Sequence, residues 1–137
     1  MSTAIDTLKA AQQRAMATRP KVGGFPHFAE TLRQAGVLRN YWTLPGCQCL
    51  FLTKEGAVAM QSTPLITGMA DVPTFDREAV IRTLRTDQAG QSTFPEFLAS
   101  AWKAGVVRYS VDFEGRTCTY YGSAGEEYLE EYASVEL

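Results

Sequence analysis

Apolar residues at Ala4, Leu8, Ala11 and Ala15 fall three or four positions apart and predict a helix over Thr3–Thr18. Pro20 stops it, because proline lacks an N–H and its ring crowds the preceding turn. Val22-Gly23-Gly24 reads as a loop. A second helix is predicted from Pro26 to Ala35, with proline in its first turn and Gly36 as its stop. The pattern then changes to alternation. Val37–Leu44 and Cys47–Thr53 read as strands around Pro45-Gly46, a pair suited to a type II turn or a longer loop. Ala57–Gln61 reads as a third strand, and the Pro/Thr-rich stretch 63–74 as a connection.

The second half follows the same plan. Phe75, Asp76 and Val80 supply a staple and N-cap for a helix running to about Thr86, which Gly90 ends. Thr93-x-x-Glu96 is a capping box that opens a helix to Ala104, with Gly105 as its stop. Val106–Phe113 and Arg116–Tyr121 form a hairpin around Glu114-Gly115. Residues 126–135 read two ways. Tyr128, Leu129, Tyr132 and Val135 make a helical stripe opposite glutamates, and helix is preferred, although the matching first-half segment reads as strand.

The parallel extends to residue identity. Residues 25–56 align without a gap on 94–125, at an offset of 69, with ten identities in 32 positions. The identities cluster at Gly, Pro and apolar sites, where backbone geometry and burial dictate the residue. The predicted fold is therefore α+β: two tandem α-α-β-β repeats, approximately 1–69 and 70–137, sharing an antiparallel sheet with helices on one face, in a single domain over 1–137. Alternation sorts the strand residues. Leu38, Asn40, Trp42, Leu44, Cys47, Cys49 and Phe51, with Val107, Tyr109, Val111, Phe113, Cys118 and Tyr120, are expected to meet the helices. Arg39, Tyr41, Thr43 and Gln48, with Arg108, Ser110, Asp112, Thr117 and Thr119, are expected on the open face.

Composition narrows the class. At 45% hydrophobic and 20% charged residues the chain is ordinary for a globular protein. No apolar run approaches the roughly 18 residues of a membrane helix, and the first twenty residues lack a signal-peptide core, so a cytoplasmic location is expected. The net charge of −2 is divided unevenly. Residues 1–69 hold seven Lys/Arg against three Asp/Glu, and residues 70–137 six against twelve. Opposite ends of such a molecule attract, which makes a homo-oligomer a candidate state; a solvated acidic face is the plainer reading. Scattered basic residues and a pI near 5.4 argue against nucleic acid as a partner.

Little catalytic chemistry is visible. Cys47, Cys49, Cys118 and His27 match the ligand count of a zinc site but not its spacing. All three cysteines fall on the expected core face, so packing is the better reading and no metal or cofactor is predicted. His27 is expected on the surface of a helix start. Gly23-Gly24, beside Arg19 and Lys21, could hold an anion on free amides, but Pro26 removes one of them. No nucleophile elbow, phosphate loop or paired-histidine motif occurs, so no catalytic residue is assigned. Arg39 and Arg108 occupy equivalent places in the two repeats. With Tyr41, Gln48 and Thr117 they form the candidate binding set, for a small anionic ligand or a protein partner; pairing with carboxylates such as Asp112 is the competing reading. Tyr120, Tyr121, Tyr128 and Tyr132 form a second candidate interaction set.

Several stretches resemble a known family: Leu84–Gly90, Thr93–Leu98, Trp102-x-Ala104-Gly105-Val106, Val111-Asp112-Phe113, Tyr120-Tyr121-Gly122 and Gly125–Tyr128, with Arg19–Pro26 and Pro64–Asp71 in the first half. The chain is similar to small bacterial proteins classed as domain of unknown function 1398, some borne on prophages and some labelled phage envelope protein. The resemblance spans nearly the whole chain and brings no catalytic residue with it. It implies a prophage-type protein. The preferred function is a non-catalytic binding or protein-interaction module. An enzyme without a recognisable motif, sited where the repeats meet, and a phage structural protein are the alternatives.

Overall fold

The structure, a computed structural model, describes residues 2–137. Two helices, α1 (Thr3–Thr18) and α2 (Phe25–Gln34), precede three strands, β1 (Val37–Thr43), β2 (Gln48–Thr53) and β3 (Gly56–Gln61). The same order then recurs as α3 (Arg77–Gln88), α4 (Phe94–Lys103), β4 (Arg108–Asp112), β5 (Thr117–Tyr121) and β6 (Glu127–Glu131). The protein is thus α+β, and each α-α-β-β unit is followed by a third strand: β3 is the one expected over Ala57–Gln61, and β6 stands where a helix is the preferred reading of the sequence. Residues 62–76 carry no regular element and join the halves.

Helix starts follow local chemistry. Asp76 accepts from the Ala79 N–H, and the Thr93/Glu96 capping box is fully formed. The start of α2 has Gly24 in the cap position and no side-chain cap. Each strand pair β1–β2 and β4–β5 turns through four residues, and the last of these, Cys47 and Arg116, both sit at φ 54°. The Pro45-Gly46 turn is therefore the longer kind, and the Leu44–Pro45 peptide is cis.

All six strands pair antiparallel, in the order β3-β2-β1-β4-β5-β6. The halves meet where β1 lies beside β4. There Tyr41 faces Ser110, its own counterpart at offset 69, while Arg39 faces Asp112 and Thr43 faces Arg108. One buried cluster spans both halves. It joins Leu8, Leu32, Val80, Leu84, Phe97 and Trp102 of the helices to Trp42, Phe51, Tyr109, Val111 and Tyr120 of the sheet. Aromatic contacts cross the seam, with Trp42 stacked on Tyr109 at 6.2 Å and Phe94 edge-on to Trp42 at 5.2 Å.

Residues 127–131 are a strand, not the expected helix. Their sequence satisfies a period of two as well as a helical stripe, because Tyr128, Glu130 and Tyr132 alternate with Glu127, Leu129 and Glu131. Local pattern does not decide between the two. The unpaired edge of β5 does: strand pairing satisfies its backbone and sets Tyr128 beside Tyr120.

Candidate functional site

Register places the open face in three rows. The first runs Ala57, Leu52, Arg39, Asp112, Thr117, Glu131. The middle row runs Ala59, Leu50, Tyr41, Ser110, Thr119, Leu129, and the third Gln61, Gln48, Thr43, Arg108, Tyr121, Glu127. The opposite face holds the core, as alternation predicts: Trp42, Cys49, Phe51, Tyr109, Val111, Cys118 and Tyr120 are all buried. Asn40 is the polar member of that buried face. Its Oδ1 accepts from Trp42 Nε1 at 2.8 Å and its Nδ2 donates to the Leu50 carbonyl at 3.2 Å.

The five residues of the binding set, Arg39, Tyr41, Gln48, Arg108 and Thr117, share the open face but split into two diagonal groups. Arg39 and Thr117 flank Asp112 in the first row; Gln48 and Arg108 flank Thr43 in the third. Tyr41 lies between the rows. The two arginines are four positions apart along the strands, roughly 13 Å at ordinary strand rise. They do not converge on one point. The Arg39 guanidinium lies 3.4 Å from the Asp112 carboxylate, which also accepts from the Glu114 and Gly115 amides. Arg108 rests over the Tyr121 ring at 3.9 Å and makes no ion pair among the described residues. Tyr41, Thr43, Gln48, Leu50, Ala59 and Gln61 line a shallow depression of about 570 Å³.

The four tyrosines of the second set do not form a patch. Tyr120 is 6% exposed and belongs to the core. Tyr121 points to the open face, under Arg108. Tyr128 lies on the helix side, where its hydroxyl donates to Glu130 at 2.6 Å and Arg77 covers its ring. Tyr132 packs edge-on against Phe25 at 5.2 Å. Tyr120, Tyr128 and Tyr132 thus lie on the helix side of the sheet, and Tyr121 alone of the four is on the open face.

The thiols are packed. Cys47, Cys49 and Cys118 are free and buried. Burial pushes Cys49 and Cys118 up to about 12, which disfavours the thiolate a nucleophile requires. Among the described residues no three of His, Cys, Asp and Glu gather as metal ligands would. His27 is half-buried rather than on the surface, and its Nδ1 is buried without a hydrogen-bond partner. The Gly23 amide, a proposed anion donor, is already used by the Gln88 carbonyl at 2.9 Å.

Two features escape the sequence reading. Glu30 is buried on α2, where it accepts from Arg33 at 2.7 and 2.8 Å and from Gln34 at 2.9 Å. The i,i+3 and i,i+4 spacing of Glu30, Arg33 and Gln34 was a usable signal for it. A depression of about 350 Å³ between α3 and α4 is lined by Arg82, Thr83, Thr86, Ser92, Ser100 and Phe97. Thr83 and Thr86, one turn apart, foreshadow its hydroxyl lining.

These observations define a class: a small α+β protein whose antiparallel sheet is covered by helices on one side. The chain belongs to the family described as protein of unknown function (DUF1398), whose model matches residues 13–132. It is similar to uncharacterized proteins of Mycobacterium tuberculosis (strain H37Rv) and Mycobacterium bovis. Each is 57% identical over 136 residues, covering 99% of this chain and 83% of the relative. No helix among the described residues is long and apolar enough to cross a membrane.

Proposed function

We propose that the protein is a non-catalytic binding module that holds its partner on the open sheet face. The observation that carries this reading is the arrangement of that face. An uncharged middle row with Tyr41 at its centre lies between two diagonal arginine positions, and one of these, Arg108, makes no ion pair among the described residues. Neutral surface beside an available guanidinium suits an extended partner with an acidic group, or a small anionic ligand seated against Tyr41. The buried thiols, in which burial disfavours the thiolate, support binding over covalent catalysis through cysteine. The resemblance to prophage-borne proteins supports a partner met in a phage context, in a cytoplasmic setting. Equal φ at Cys47 and Arg116, and the facing of Tyr41 with Ser110 at offset 69, support descent of the two halves from one copied segment.

The test compares the wild-type chain with an Arg39→Ala, Tyr41→Ala, Arg108→Ala triple variant by native mass spectrometry after exposure to host lysate. A co-purifying species held by the wild type and lost from the folded variant is expected. A species held equally by both would place binding elsewhere and end this reading.

A further inference from the structure

The two edges of the sheet differ in chemistry. The outer strand β6 carries Glu127, Glu130 and Glu131 in five residues. Charges of this kind on an edge strand discourage pairing with other chains. The other edge, β3, reads Gly56-Ala57-Val58-Ala59-Met60-Gln61 and has no charge, proline or bulge. Five of its six residues are exposed and Val58 is half-buried. Helix α1 stands beside it on the core side, where Thr7 Oγ1 donates to Glu55 at 3.1 Å, yet it leaves the edge open.

The direction of the backbone groups on β3 follows from one bond. Ser62 N–H donates to the Cys47 carbonyl at 2.9 Å, one step beyond the Gln48–Gln61 pair. Hydrogen-bonded pairs alternate in an antiparallel ladder, so Gly56, Val58 and Met60 turn their backbone groups toward β2. Ala57, Ala59 and Gln61 turn theirs outward, where no strand meets them.

We propose that this edge is a self-association site, on which β3 of a second copy pairs antiparallel about a two-fold axis through Ala59. That register is the one that uses all three outward residues. Ala59 faces Ala59 of the second copy and Ala57 faces Gln61, giving six backbone hydrogen bonds between copies. Val58 and Met60 oppose each other on the helix side, where Met60 is 38% exposed in the single chain. Ala57 and Ala59 leave the open side free of steric conflict. The charged turn Lys54-Glu55 falls beyond the end of the facing strand, so no like charges meet along it. Pairing β6 with β6 would instead set carboxylates against carboxylates. Pairing β3 with β6 would leave an edge free at each end and produce an open chain, whereas the two-fold arrangement closes. One strand pair buries less than a standard interface, so the dimer is weak and reversible. The proposal is independent of the binding role given to the open face.

Sedimentation velocity on the full chain, over roughly 10 μM to 1 mM, tests it. The wild type is expected to shift from monomer to dimer across this range. Ala59→Pro removes an outward N–H that β2 does not use and weakens association at least ~10-fold; Leu129→Pro, at the matching outward position of β6, leaves it unchanged. Circular dichroism confirms that both variants are folded. Should Ala59→Pro fail to fold, Ala59→Lys and Ala59→Glu serve, since each sets like charges across the axis. Each alone is expected to stay monomeric, and an equimolar mixture to recover the dimer. A wild-type monomer throughout, association unchanged in the Ala59 variants, or a mixture that stays monomeric would each overturn the proposal.

Discussion

The two halves share a chain path and differ in what secures it. Gly36 and Gly105 follow α2 and α4 at φ 95° and 92°, and Cys47 and Arg116 both close their turns at φ 54°. The side chains around these common points diverge. The first half has an uncapped helix start at Gly24, a buried Glu30 held by Arg33 and Gln34, and Asn40 in the core face. At the equivalent positions the second half has Thr93 in a capping box, Ala99 and Tyr109. One backbone plan is therefore secured by polar contacts in one half and by capping and aromatic packing in the other. Equivalent substitutions should have unequal effects.

The largest inequality is expected at the paired glycines. A Cβ at Gly105 would lie 2.5 Å from the Phe75 Cα and 2.6 Å from the Thr74 carbonyl oxygen, which are backbone atoms of the segment entering α3. A Cβ at Gly36 would meet only the Lys54 side chain, at 3.7 Å. Both substitutions carry the cost of a left-handed backbone for an L residue, roughly 1–2 kcal/mol. Gly105→Ala adds a collision that only backbone movement relieves, so upwards of ~3 kcal/mol is expected. Urea unfolding of the two variants checks this. Equal losses would show that the connecting segment yields freely.

The second inequality concerns acid. Arg33 hydrogen bonds to Glu30, against the opposing effect of burial and with help from Gln34 and the Arg33 and Arg116 charges, lower its carboxyl from 4.5 to about 2. A carboxyl depressed on folding stabilises fully above its unfolded value and loses that contribution as pH falls from about 4.5 toward 2. The contribution is on the order of 2–3 kcal/mol. Ala99 occupies the matching place on α4, so the Glu30 contribution has no counterpart there; the lowered carboxyls of the second half, Glu96 and Glu130, lie elsewhere. Thermal melts of Glu30→Gln should show lower stability at pH 7 and a flatter decline between pH 5 and 2 than the wild type. An unchanged slope would assign the acid response to other carboxylates, such as Glu130.

Fold and site were legible to different depths. Helix ends and turns were readable because they depend on residues adjacent in sequence: Pro20, the Thr93-x-x-Glu96 box, and Gly36 and Gly105. The faces of Arg39–Thr43 and of β4 were readable because their alternation is regular; at the start of β1 the register shifts between Val37 and Arg39, so Val37 is buried and Leu38, expected in the core face, is half-buried. What remained hidden depends on partners distant in the chain. The C-terminal segment satisfied two periods, and only the open edge of β5 decides for strand. The candidate arginines sat at equivalent positions, but antiparallel pairing of β1 with β4 sends them to opposite rows and sets Arg39 across from Asp112. The Arg39–Asp112 contact was foreseen as a competing reading; the separation of Arg39 from Arg108 was not, because local pattern does not set the register between distant strands.

The smallest inequality lies at the helix starts. Thr93 Oγ1 accepts from the Glu96 amide at 3.3 Å, and Glu96 Oε1 accepts from the Thr93 amide at 2.8 Å. Losing such a cap costs about 1 kcal/mol. Thr93→Ala should therefore lower stability by about that amount and increase amide exchange in the first turn of α4, with little change elsewhere. The reciprocal change, a capping serine at Gly24, should not help, because a Cβ there runs into the Pro20 carbonyl oxygen. Gly24→Ser is expected to destabilise, in spite of serine's preference for cap positions. If it stabilised instead, the uncapped start of α2 would be an unused opportunity and not a consequence of the tight Pro20–Gly24 turn. Hydrogen exchange on the two variants, read at residues 25–28 and 94–97, separates these outcomes.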